Sequence, residues 1–188
     1  MTAAVLSLGS NLGDRFAHLQ AAVAGFADAL VAASPVYETA PWGGVAQDDF
    51  LNAVLLVADP TVDAWGWLRR GQAIEDAAGR VRDVRWGPRT LDVDVVTVDQ
   101  VRSTDPELLL PHPGTPERAT VLRPWLDVDP HAVLPDHGPV AALLAALGPD
   151  AEAAPSPRAR RAGNRASTHR SARLAVAGTE TRRHENGD

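Results

Sequence analysis

Residues 91–98 read LDVDVVTV, and the alternation that opens this stretch marks a β-strand with two unlike faces. Leu91, Val93 and Val95 point into a core. Asp92 and Asp94, two residues apart, share the opposite face. Just upstream, residues 80–90 form a polar, arginine-rich loop, and before it 61–78 reads as a helix opened by Asp59-Pro60-Thr61 and ended by Gly79. Further back, FLNAVLLVA at 50–58 is a buried strand. APWGGVAQDD at 40–49 is a loop punctuated by proline, paired glycines and aspartates. PVYET at 35–39 and AAVLSL at 3–8 are strands. Between those two, Leu12, Phe16, Leu19, Val23, Phe26 and Leu30 recur at intervals of four and three. They predict one helix, capped by Ser10 or Asn11 and stopped by Ser34-Pro35. Downstream, 108–110 is a short strand, and 117–126 and 139–147 are helical.

The order is strand, helix, strand, strand, helix, strand. It predicts an α+β, ferredoxin-like split βαβ fold, an antiparallel sheet with helices packed on one side, plus a disordered C-terminal tail. Residues 1–148 hold 10 arginines against 19 acidic residues and contain every aromatic residue, whereas 149–188 hold 8 arginines against 5 acids. The last forty residues carry too little apolar surface to offset the entropy of ordering. The expected division is therefore a domain over 1–148 and a disordered, Ala/Arg-rich tail over 149–188, whose removal leaves activity intact.

A chain of 188 residues that is 45% hydrophobic and 22% charged builds an ordinary globular core. The absence of cysteine excludes disulfides, thiolate metal sites and a cysteine nucleophile. A net charge of −6 argues against nucleic acid as a partner. No apolar run is long enough to span a membrane and no export signal opens the chain, so the expected location is cytoplasmic.

The chemistry gathers around the two carboxylates. Side by side they repel unless a cation lies between them, and magnesium takes one or two carboxylates together with substrate phosphates. Alone, the pair is also compatible with an acidic outer strand face. Arg80, Arg82, Arg85 and Arg89 stand immediately upstream, and guanidinium forks bind phosphate oxygens bidentately. Carboxylates and arginines together point to a metal-bridged polyphosphate. Gln72 and Glu75 are neighbours on a helix face, suited to a sugar hydroxyl or amine, or else to solvent. His112, between two prolines, is placed to donate to a phosphate. Tyr37, Trp42, Phe50 and Trp86 with Asn52 offer flat surface and an amide, which a planar heterocycle needs; for Tyr37 core packing explains as much.

RWGPRTLDVDV at 85–95, with LGSNLGDR at 8–15, SPVYETAPWG at 34–43, FLNAV at 50–54, QAIE at 72–75, GRVR at 79–82 and LPHP at 110–113, resembles the 6-hydroxymethyl-7,8-dihydropterin pyrophosphokinase family. The likeness covers about residues 3–147. It implies transfer of pyrophosphate from MgATP to 6-hydroxymethyl-7,8-dihydropterin, giving AMP and the pterin diphosphate in folate biosynthesis. By position it implies Asp92 and Asp94 as ligands of two Mg2+ ions, and Arg80, Arg82, Asp92 and Asp94 as the catalytic set. Gln72, Glu75, Arg89, His112 and Arg118 would bind ATP. Thr39, Ala40, Trp42, Phe50, Asn52, Trp86 and Asp92 would line the pterin pocket, with 40–49 as its lid. The expected partners are these two small substrates, with a monomer as the acting form. Thr120 departs from the family, which usually has a stacking phenylalanine there. Thr120→Phe is therefore expected to tighten pterin binding, read by calorimetry, by about 0.5–1.5 kcal/mol.

Two other classes use part of the same pattern. A two-metal phosphodiesterase would use Asp92 and Asp94 to activate water and need no pterin. A non-catalytic module that binds a heterocycle would leave the carboxylates and arginines idle.

Overall fold

The computed structural model describes residues 2–41, 47–81 and 87–148, together with the backbone of 154–155. In chain order the elements are β1 (Ala3–Ser10), α1 (Arg15–Gly25), β2 (Leu30–Ala33), β3 (Tyr37–Thr39), β4 (Phe50–Ala58), α2 (Ala64–Ala77) and β5 (Asp92–Val98). They continue with β6 (Ser103–Asp105), β7 (Leu108–Leu110), α3 (Ala119–Val128), β8 (Val133–Leu134), β9 (Gly138–Pro139), α4 (Val140–Ala146) and β10 (Ala154–Pro155).

β1 is central, antiparallel to β4 on one side and to β5 on the other. The far edge of β4 pairs in succession with β2 and β3, also antiparallel. Taking β2 and β3 as one broken strand, this is the expected split βαβ order. The backbone of Ala154–Pro155 adds to the outer edge of β3, opposite Glu38 and Tyr37. The rest of the tail expected over 149–188 lies outside the described residues.

The sheet is covered on both faces, not on one. Leu6, Leu8, Leu55, Val57, Val93 and Val95 pack against Leu19, Ala22 and Phe26 of the α1 region and Trp67 of α2. Val5, Val54 and Val96 pack against Val121, Leu122 and Trp125 of α3 and Val140 of α4. The strands are apolar on both faces over most of their length, so they need two layers of cover.

The first helix is shorter than its apolar stripe predicts. α1 ends at Gly25 with Phe26 as its C-cap, and Leu30 and Ala33 pair instead with Val57 and Leu55. Leu30 still packs on the same core, so the stripe looks continuous, while unpaired groups on the edge of β4 recruit the backbone into a strand. Leu12, at the other end of the stripe, is exposed. The cap is neither Ser10 nor Asn11 but Asp14, whose side chain accepts from the Ala17 amide at 3.1 Å. α2 likewise starts later than expected, with Asp63 accepting from Gly66 at 2.6 Å.

Candidate active site

A single row of residues crosses the sheet at the C-terminal end of β1. Gly9 is opposite Asn52 of β4 on one side and Asp92 of β5 on the other, and Tyr37 of β3 is opposite Asn52. Directly paired residues project from the same face. A Cβ on Gly9 would stand 3.5 Å from Asn52 Oδ1, 3.8 Å from Asp92 Cβ and 3.8 Å from Phe50 Cδ1. Gly9 is therefore the bare floor of a cleft between an amide, an aromatic ring and a carboxylate. Asn52 is fixed by donating from Nδ2 to Thr39 Oγ1 at 2.7 Å, with its oxygen toward Gly9. Thr39, Phe50 and Asn52 thus form one wall. Tyr37 is buried beneath them, and its hydroxyl donates to Asp127 on α3. Burial and Asp127 both push its phenol upward from the usual value.

Asp92 and Asp94 form the other wall, on one face of β5 as their spacing requires. Asp92 is held by two cations: Arg80 binds Oδ1, and Arg89 Nε stands 3.2 Å from Oδ2. Arg118 Nη1 is 3.8 Å from Asp94 Oδ2. Burial, then the Asp92 charge, raises the Asp94 carboxyl from 3.8 to about 7, against the pull of Arg118 and Arg89. Its side chain keeps 35% of its surface exposed, so water screens part of that push. The Nε–H of Arg80 is buried without a hydrogen-bond acceptor among the described residues, while that of Arg89 has only the Asp92 carboxylate beside it. Arg89 also lies 5.1 Å over the Phe50 ring, tying the cationic wall to the aromatic one.

Glu75 is 3% exposed, which excludes the solvated-surface reading. Its Oε1 accepts from the Val93 amide at 2.8 Å and from Arg80 Nη1 at 2.5 Å. Gly71, one turn earlier, permits this: a Cβ there would press within 3.0 Å of Val93 Cγ1. Arg80 Nη1 also donates to Leu91 O at 3.1 Å, so the free edge of β5 is covered by side chains. Burial opposes the charge on Arg80, but Asp92, Glu75 and Asp94 outweigh it and hold the proton more tightly than usual. Gln72 is half-buried on the same helix.

The His112 amide donates to Val96 O at 2.9 Å, setting the histidine beside β5. Its Nδ1 accepts from the Gly114 amide at 3.3 Å, which leaves the proton on Nε2. Burial and Arg118 lower its pKa and favour this neutral form. Ala40 is exposed just beyond β3. Trp42, Arg82, Arg85 and Trp86 lie outside the described residues.

Ser10 and Asn11, the alternative caps that the sequence offers for the first helix, are both buried at the mouth of this cleft. Ser10 Oγ donates to Thr90 O at 2.5 Å, and Asn11 bonds to segments on both sides of the site. The surplus of capping residues was the available signal. Asp14 alone suffices for α1, which leaves the polar pair before it without a helical role.

No cluster of three or more His, Asp or Glu side chains able to hold a metal occurs among the described residues. The available donors are two carboxylates on one face, hard oxygens in the number magnesium takes when phosphates complete its shell. The chemistry of this donor set fits that ion.

A family model described as 7,8-dihydro-6-hydroxymethylpterin-pyrophosphokinase matches residues 5–130. A 2-amino-4-hydroxy-6-hydroxymethyldihydropteridine pyrophosphokinase of Mycobacterium tuberculosis is 53% identical over 161 residues, covering 79% of this chain and 86% of that protein. One from Methylorubrum extorquens is 44% identical over 138 residues, covering 71% and 87%. Among solved structures, an HPPK-DHPS in complex with substrates matches with a TM-score of 0.58 at 11% identity, over 77% of this chain and 43% of that one. A Plasmodium falciparum HPPK-DHPS triple mutant matches at 0.59 and 16% identity, over 77% and 44%. This chain spans under half the length of those solved chains, and at such identities the likeness is one of fold. With more than half its length under the family model and close relatives along most of it, the chain belongs to the 7,8-dihydro-6-hydroxymethylpterin-pyrophosphokinase family, whose members are ATP-dependent diphosphotransferases.

Proposed function

We propose that the cleft over Gly9 is where this enzyme moves the pyrophosphoryl group of ATP to the 6-hydroxymethyl oxygen of 7,8-dihydropterin, leaving AMP. The observation that carries the placement is the row Asn52–Gly9–Asp92. It sets a wall suited to a flat heterocycle against one suited to a triphosphate, with no side chain between them. The pterin takes the side of Thr39, Ala40, Phe50 and Asn52, and the family resemblance adds Trp42 and Trp86. The nucleotide takes the side of Arg80, Arg89, Arg118 and His112, with Gln72 and Arg82. The buried Nε–H of Arg80, without an acceptor among the described residues, supports an anionic oxygen here.

Asp92 and Asp94 would hold two Mg2+ ions, which when bound neutralise the triphosphate and polarise it. The chain's own residues supply the rest. Arg80, Arg89 and Arg118 offset the charge that spreads over the transferred group. Asn52 orients the pterin so that its hydroxymethyl oxygen faces the β-phosphorus in line. Glu75 contacts the nucleotide only through Arg80 in this reading, because its bonds to Val93 and Arg80 place it inside the wall. The phosphodiesterase and binding-module readings lose their ground with the family assignment.

All these residues come from one chain, so the reading needs no second subunit. It places catalysis within 1–148, with 149–188 as an appendage, in the cytoplasm. No helix among the described residues is long and apolar enough to cross a membrane. The test is chromatography of the enzyme with ATP, Mg2+ and hydroxymethyldihydropterin. AMP together with a pterin diphosphate is expected; ADP with phosphate, or AMP without the pterin product, contradicts the proposal.

A further inference from the structure

We infer that Asn11 is a positioning residue that couples the pterin side of the cleft to the nucleotide side, an inference that rests on the function proposed above. Asn11 is 3% exposed, on the short connection between β1 and α1. Its amide faces two ways. Oδ1 accepts from the Arg89 amide at 2.8 Å, while Nδ2 donates to Gln47 Oε1 at 3.0 Å and to Asp48 O at 3.1 Å. The orientation is fixed by its partners, since a backbone N–H only donates and a carbonyl only accepts. The backbone adds to the nucleotide side, where the Asn11 and Leu12 amides both donate to Arg89 O, at 3.1 and 3.2 Å.

Each partner is adjacent to one half of the site. Arg89 carries the guanidinium beside Asp92 and over the Phe50 ring. Gln47 and Asp48 lead directly into β4 and hence to Phe50 and Asn52. Arg15 fastens the same segment, donating to Asp49 O at 2.7 Å and to Glu38 Oε1 on β3 at 2.9 Å. Arg15 joins two parts of the pterin wall. Beside the Arg89 guanidinium, which lies over the Phe50 ring, Asn11 is the side chain whose hydrogen bonds join the Arg89 backbone to the 47–48 segment. A shift of the Arg89 backbone on taking up triphosphate therefore reaches the segment leading into Phe50 through one buried amide, alongside the direct contact of the Arg89 guanidinium with that ring. By reciprocity, pterin binding improves the nucleotide side equally.

Asn11→Asp keeps the acceptor toward Arg89, removes both donations and sets a carboxylate oxygen against the Asp48 carbonyl. Gln47→Ala removes one partner and leaves Asn11 itself intact. Calorimetry gives the pterin Kd with and without an α,β-methylene ATP analogue and Mg2+. The wild type is expected to bind pterin more tightly with the analogue. In Asn11→Asp that ratio falls at least fivefold, with nucleotide affinity alone within about twofold of wild type and pterin KM rising more than kcat falls; Gln47→Ala loses part of the ratio. An unchanged ratio in both variants, or a wild type without coupling, overturns the inference. Gln47→Ala reports on it even where Asn11→Asp does not fold. A wild type that forms no AMP and pterin diphosphate instead removes the functional reading beneath it.

Discussion

Asp94 shows what one buried carboxylate beside another costs the fold. Burial and the neighbouring Asp92 raise its carboxyl from 3.8 to about 7, so the folded chain holds that proton more tightly than the unfolded chain does. The associated stability is fully present below about pH 4 and is lost as pH rises to about 7. Asparagine has no charge to disfavour. Asp94→Asn is thus expected to melt within a degree or so of wild type near pH 4, and higher by about 2–4 °C per kcal/mol relieved near pH 8, both without metal. Turnover in this variant is expected to be lost. Added Mg2+ should raise the wild-type melting temperature at the higher pH and leave that of the variant unmoved. Thermal melts at the two pH values decide; a variant less stable than wild type at about pH 8 contradicts the assignment.

At the scale of elements, what was legible from sequence is what local pattern governs. The alternation in β5 fixes the shared face of Asp92 and Asp94 without reference to the rest of the chain. The end of α1 was not legible, because Leu30 serves the same core from a helix or from a strand; only the edge of β4 decides between them. The burial of Glu75 was not legible either, since it depends on Gly71 letting α2 approach Val93. Nor does the sequence say that Gly9 aligns with both Asn52 and Asp92. That alignment makes a prediction. A methyl at Gly9 meets its neighbours at ordinary contact distances, and replacing a strand glycine removes an entropic cost of about 0.5–1 kcal/mol. Gly9→Ala should fold at least as stably as wild type, while the KM for pterin rises about tenfold, a loss of about 1.4 kcal/mol. Steady-state kinetics alongside a melt tests it; an unchanged pterin KM shows that the cleft floor is elsewhere.

Across the whole molecule, two apolar cores on opposite sheet faces support one polar row. Both cores draw on β1, β4 and β5; one ties them to α1 and α2, the other to α3 and α4. The site opens where β1 ends, and helix starts and loop ends bring the arginines to it. The tail joins this frame through Ala154–Pro155 on β3, the strand that carries Thr39. Removing 157–188 is expected to change neither stability nor rate. Removing 149–188 bares the edge of β3 and should lower the melting temperature by about 2–4 °C, a loss of about 1 kcal/mol, while kcat stays within about twofold. A large fall in kcat on the longer deletion would show that the tail belongs to the catalytic unit.

Following the β-phosphorus tests the central claim most directly. With ATP labelled there, Mg2+ and hydroxymethyldihydropterin, the label should leave the nucleotide and appear with the γ-phosphate on the pterin product, and Asp92→Asn should abolish the transfer. Label retained in ADP, or transfer undiminished in Asp92→Asn, would contradict a cleft in which the two aspartates deliver a pyrophosphoryl group to the pterin alcohol.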